Sequence, residues 1–160
     1  MPTIKNKFLF LGIITFCIVV LLFAFFVEYI LGHKPCELCL IQRVPYIVAP
    51  ILAFLVLIFS KHEKAISIVI GLFFIFGTIV SFYHFGIEKG FFNESLVCNL
   101  SGDGATISKQ DLLQELQSKE ISCKDVIFRI FGLSLATINA IISFVVSAIM
   151  FLKVINYEKN

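Results

Sequence analysis

Charge is scarce in this chain. Only 15% of its 160 residues are charged, while 59% are hydrophobic, against about a quarter charged and roughly half apolar in an ordinary soluble domain. The net charge of +2 is too small to argue for a nucleic-acid partner. No internal repeat and no low-complexity tract is visible, though phenylalanine is abundant at 19 residues. The first apolar run follows a basic start at Lys5 and Lys7, but no small-x-small cleavage site ends it and it is longer than a signal-peptide core, so a retained helix is expected. Cys17 follows Phe16 rather than the small residue that lipoprotein processing needs, and reads as a small buried hydrophobe.

What is present is four apolar blocks, approximately residues 8–27, 41–59, 66–85 and 130–152. A helix that spans a bilayer needs about 20 mostly apolar residues. Three blocks meet that length directly. The second is short and contains Pro45 and Pro50, and it reaches the length if Arg43 snorkels toward the interface. Four spans leave no room for a separate soluble domain. The expected fold class is therefore an all-α membrane protein, a four-transmembrane-helix bundle forming a single domain over residues 1–160. Two extracytoplasmic loops, 28–43 and 86–129, complete it.

Orientation follows from lysines. Lys5 and Lys7 in the N-terminal tail, Lys61 and Lys64 in the middle turn, and Lys153 and Lys159 at the C-terminus outweigh Glu63 and Glu158 in the same segments. The positive-inside rule puts these segments, and both termini, in the cytoplasm. The second exterior loop exceeds the usual loop length. Within it Ser108-Lys109-Gln110-Asp111 is a weak capping box, and Leu112, Leu113 and Leu116 share one helical face, so a short surface helix is expected there. Two Asn-x-Ser triplets, at Asn93 and Asn99, are short enough to arise by chance.

Four of the five cysteines lie in the two exterior segments. Cys36-Glu37-Leu38-Cys39 is a Cys-x-x-Cys run entering the second span, and Cys98 and Cys123 share the long loop. Cysteine reacts as thiolate, and both the Cys-x-x-Cys arrangement and a helix N-terminus lower a thiol pKa. Cys39 sits near such a terminus with Arg43 one turn beyond, while Glu37 opposes the effect. The bland alternatives are structural disulfides, which brace a long loop by a few kcal/mol, and a zinc site. The second would need another Cys-x-x-Cys knuckle, which is absent, so no metal is expected. Thiols grouped outside a membrane favour electron transfer between a soluble dithiol and an acceptor in the lipid. Arg43 and His84, both near the outer ends of their spans, are candidates to hydrogen-bond the carbonyl oxygens of a quinone. His33 could tune the first pair, and His62 reads as solvated.

In combination, Pro35-Cys36-Glu37-Leu38-Cys39, Gln42-Arg43, Tyr83-His84, Cys98 with Cys123, and Phe131-Gly132-Leu133-Ser134 resemble the bacterial DsbB family of disulfide-bond formation proteins. The resemblance covers nearly the whole chain, with Cys17 outside the familial set. It implies a four-helix bundle of the bacterial inner membrane, a quinone cofactor (ubiquinone or menaquinone), and a periplasmic thioredoxin-like partner of the DsbA type, which the handed-on oxidising power would regenerate. It also implies the roles. A partner thiolate attacks Cys98, Cys123 is freed to exchange with Cys36, and Cys39 is released facing the quinone beside Arg43 and His84. Two rivals remain. One is a membrane scaffold whose disulfides only brace loops. The other is a vitamin-K-epoxide-reductase-like bundle, disfavoured because its Cys-x-x-Cys comes late in the chain.

Overall fold

The computed structural model describes residues 4–33, 35–92, 129–130 and 132–158. Four long helices dominate it: α1 (Ile4–Phe25), α2 (Glu37–Ile58), α3 (Glu63–Glu88) and α4 (Leu135–Glu158). Four apolar stretches are long enough to cross a bilayer: Asn6–Ile30, Glu37–Ile58, Glu63–Glu88 and Leu135–Asn156. The shortest of these, at 22 residues, measures about 33 Å at 1.5 Å per residue, just over the roughly 30 Å hydrocarbon layer. The expected surface helix around Leu112, the Asn-x-Ser triplets, and Cys98 and Cys123 lie outside the described residues.

All four helices keep large apolar side chains on their outer faces. Phe8, Leu22, Ile51, Phe54, Ile79, Phe82, Phe144 and Leu152 are among the exposed ones. In water such a surface would drive association. In lipid it is the solvated face, and backbone groups are satisfied inside each helix. The interior is lined by small residues. A Cβ added at Gly71 would stand 3.0 Å from the Phe151 ring, and one at Gly77 would stand 3.2 Å from Pro45 Cγ and 3.3 Å from Ser143 Oγ. Close approach through small residues is how helices associate where lipid removes the hydrophobic drive. α3 and α4 form the most extensive pair, with α2 packed against α3 and α1 against α2. Phe10, Cys17, Tyr46, Ala49, Ala53, Ile70, Phe74 and Met150 fill the centre.

Three boundaries differ from the sequence expectation. α2 begins at Glu37, ahead of the expected start at 41, and runs unbroken through Pro45 and Pro50, with Arg43 inside it. Prolines are tolerated in such helices because neighbours re-satisfy the freed backbone. α1 widens into a π-helical turn over Phe26–Ile30, and Gly32 then reverses the chain at φ +71°, a conformation glycine adopts without penalty. The last span starts at Leu135, where Ser134 Oγ accepts the Thr137 amide at 3.2 Å as an N-cap. Two short antiparallel strands, Arg129–Ile130 and Leu133–Ser134, pair Arg129 with Ser134 and Ile130 with Leu133.

Charged residues at the opposite end are also placed differently. Glu63, expected in a solvated turn, is buried, and Lys153, expected in the tail, reaches back to it at 2.8 Å.

Candidate functional site

The start of α2 is the chemical centre of the described chain. Pro35 and the extended backbone of Cys36 (φ −76°, ψ 166°) bring the chain into the helix with Cys36 as its N-cap residue. The Cys36 side chain makes no cap bond, which leaves its sulfur to turn toward Cys39, one turn further in. The two Sγ atoms are 2.9 Å apart, within about 1 Å of the roughly 2.05 Å of a disulfide bond. Leu38 and Ile87 pack around the pair, with Ile41, Val80 and Tyr83 outside them. Cys36 is buried and Cys39 half-buried.

His84 comes from α3 and lies beneath Cys36. Its Nε2 is 3.7 Å from Cys36 Sγ, and its Nδ1 is 3.0 Å from the side-chain nitrogen of Gln42. Glu88, one turn along α3, stands 3.8 Å from the same Nε2. The hydrogen bond shared with Cys39 holds the Cys36 pKa well below its ordinary value, with burial opposing and His84 contributing. Cys36, Cys39 and His84 also bring donor atoms within 4.8 Å of one another, a donor set that suits a soft metal ion by type.

Arg43 faces elsewhere. Its Nη1 donates to Glu28 Oε2 at 2.6 Å, and its guanidinium lies 5.3 Å from the centre of the Phe25 ring. The π-helical turn at the end of α1 is what aims Glu28 at it, a use of such turns that recurs at functional sites. Arg43 therefore sits toward α1, while His84 sits between α2 and α3. The structure brings Cys36, Cys39 and His84 together, with Arg43 one turn beyond Cys39 on α2 and its side chain turned toward α1.

Sequence reading missed a buried polar chain that continues inward from His84. Gln42 Oε1 accepts from Asn139 Nδ2 at 2.9 Å, the same nitrogen reaches Ser81 Oγ at 2.7 Å, and Tyr46 donates to Asn139 Oδ1 at 2.6 Å. Polar side chains inside a bilayer are costly and so mark function or packing. Asn139 in the last apolar block and Gln42 in the second carried that signal.

The family model of the disulfide bond formation protein DsbB matches residues 6–153. The chain belongs to the DsbB family. It is thus a multi-pass membrane protein of disulfide-bond formation, a disulfide oxidoreductase by family. It is also similar to the uncharacterized protein RP370 of Rickettsia prowazekii (strain Madrid E), with 30% identity over 141 residues, covering 87% of this chain and 82% of that one. No solved structure matches it. The DsbB match spans all four helices, both cysteine pairs, Arg43 and His84.

Proposed function

We propose that this DsbB-family chain, as a single domain over residues 1–160, reoxidises a thioredoxin-like dithiol oxidase of the DsbA type and passes the electrons to a membrane quinone, ubiquinone or menaquinone. It would do so in the bacterial inner membrane with both termini in the cytoplasm. The observation that carries this reading is the Cys36–Cys39 pair at 2.9 Å, with a histidine nitrogen 3.7 Å from the first sulfur, at the end of a membrane helix. A brace for loops has no need of a histidine set against one of its sulfurs.

In this scheme Cys98 and Cys123 form the disulfide that meets the partner. The partner's two thiols become its disulfide, and Cys98 and Cys123 become thiols. The Cys123 thiolate then attacks Cys36, breaking Cys36–Cys39 and forming a Cys36–Cys123 bond. Attack by the Cys98 thiolate on Cys123 restores Cys98–Cys123 and leaves Cys36 and Cys39 reduced. Two electrons and two protons then leave that dithiol, and Cys36–Cys39 closes again. Each exchange proceeds through a mixed disulfide, whose rate depends on thiolate character and access.

A quinone supplies the two-electron sink. The residues present suit its chemistry. Arg43 carries five N–H donors, and among the described residues only its Nη1 is engaged, by Glu28. The exposed side chains of Leu40 and Val44 flank it on α2 and offer an apolar surface for a ring. Arg43 would bind and orient the carbonyl oxygen. Both ring nitrogens of His84 already face protein groups, so its proposed part is to hold or move a proton at Cys36.

The relay is tested by trapping. With Cys123→Ser, a reduced DsbA-type partner should accumulate as an adduct with Cys98, visible on non-reducing gels. Absence of any adduct from Cys123→Ser and from Cys36→Ser would return the cysteines to a structural role.

A further inference from the structure

The buried polar chain has a direction, and one carbonyl fixes it. Ser81 Oγ lies 2.7 Å from the main-chain oxygen of Gly77. A carbonyl can only accept, so the Ser81 hydroxyl proton points there and its oxygen must accept at its other contact. That contact is the Asn139 side chain at 2.7 Å, whose nitrogen must therefore face Ser81. Reversing the amide would leave Ser81 Oγ between two acceptors with one proton.

The remaining links follow in turn. Asn139 Nδ2 also reaches the Gln42 side chain at 2.9 Å, so Gln42 presents its oxygen there, and Asn139 Oδ1 accepts from Tyr46 at 2.6 Å. Gln42 then turns its nitrogen to His84 Nδ1 at 3.0 Å. An amide nitrogen only donates, so Nδ1 accepts, and in the neutral ring the proton is on Nε2. Amide and tautomer assignments rest on such consistency, and here every contact pairs a donor with an acceptor.

We propose that Ser81, Asn139 and Gln42 are positioning residues that lock His84 as the Nε2–H tautomer, so that its ring proton is aimed at Cys36 Sγ, 3.7 Å away. This deepens the relay reading, because it gives the exchanging sulfur Cys36 a fixed donor. The charged and titratable groups around His84 agree with it. Glu88 on its own helix lies on the Nε2 side at 3.8 Å, where it draws the proton to the same nitrogen. From the start of α2 come Cys36 and Cys39, and Arg43 there is occupied by Glu28 from the end of α1. Asn139 on α4 and Gln42 on α2 are uncharged.

The test uses the reduced full-length protein in detergent with ¹⁵N-labelled histidine, the His84 resonances being assigned by their loss in His84→Gln. The ring nitrogen shifts of neutral His84 should report Nε2–H, and an Nδ1–H reading overturns the proposal. Asn139→Asp replaces the donor with an acceptor, so Gln42 should turn its oxygen to His84 and draw the proton to Nδ1. Gln42→Leu removes the donor to Nδ1 without adding a charge. Each should shift the tautomer away from Nε2–H and move the pH midpoint of Cys36 alkylation, followed by site-resolved mass spectrometry, upward by about one unit, or tenfold in thiolate fraction. Both variants folding normally with tautomer and alkylation unchanged would refute it. Neither readout needs partner or quinone, so failure here leaves the relay itself standing, and failure of the relay leaves the tautomer measurable.

Discussion

Removing the charge of Glu63 is expected to be among the most damaging single changes outside the cysteine site. Its side chain is about 5% exposed, that of Lys153 about 10%, and they meet at 2.8 Å. Asn6 adds a hydrogen bond to the same carboxylate oxygen at 2.6 Å, and the Lys153 ammonium stands 3.6 Å from the centre of the Phe10 ring. At an effective dielectric of about 20, two unit charges at this distance attract by roughly 6 kcal/mol, and desolvation offsets much of it. The decisive quantity is the cost of leaving one charge buried alone, about 3–5 kcal/mol. Glu63→Gln keeps the shape and should cost about 3 kcal/mol, the lower end because the lysine stem lets the ammonium move outward. Lys153→Met should cost a similar amount. The double variant should return to within about 1 kcal/mol of the parent, since a buried pair and an apolar pair of like volume are often equivalent. Cys17 provides the assay. It is fully buried in the core, so its alkylation against rising denaturant in detergent reports opening, and about 3 kcal/mol corresponds to roughly a hundredfold faster modification. Single-variant costs that add in the double variant would show that the charges are independently solvated and that the pairing argument is wrong.

Three further outcomes follow. Arg43→Ala should raise the apparent KM for a quinone analogue or slow its reduction by roughly tenfold to a hundredfold, the loss of about 1–3 kcal/mol from a buried polar contact, while exchange with the partner continues; Arg43→Lys should keep part of the activity, because ammonium cannot reproduce the planar fork. Gly77→Val should destabilise the bundle by about 1–3 kcal/mol through overpacking, since even a Cβ there meets Pro45 and Ser143, and thermal unfolding in detergent reads it. Because the Cys36 pKa is depressed, its thiolate persists below the ordinary thiol value of about 8.5 and is lost only as pH falls through the lowered one; His84→Gln should move the alkylation midpoint upward, and an unmoved midpoint would remove His84 from the thiolate's environment.

Much of the bundle was legible because a bilayer imposes a length on apolar runs. The four blocks and their order needed no tertiary information. Their ends did, since charged residues were treated as boundary markers. Glu37 starts α2 from inside the expected loop, while Glu63 and Lys153 neutralise each other across the bundle, a pairing no local pattern encodes. Removing Lys153 from the tail also leaves the orientation argument to the other lysines. At the site, Cys36, Cys39 and Arg43 were visible from spacing. His84 was visible from its place at the end of α3, but its side of the helix was not, because which face meets Cys36 depends on how α3 packs on α2. The Asn139–Gln42 chain joins residues 97 apart in sequence and shows only as scattered polar positions in apolar blocks.

The central claim is that electrons from a dithiol protein cross Cys36 and Cys39 to a quinone. The most direct measurement mixes the purified protein anaerobically with a reduced DsbA-type partner and a water-soluble quinone analogue, following quinone absorbance and partner thiols together. One quinone should be reduced per partner disulfide formed, and Cys36→Ser or Cys39→Ser should abolish the reaction in folded protein. Quinone reduction that persists without Cys39, or partner oxidation that proceeds without consuming quinone, would contradict the account.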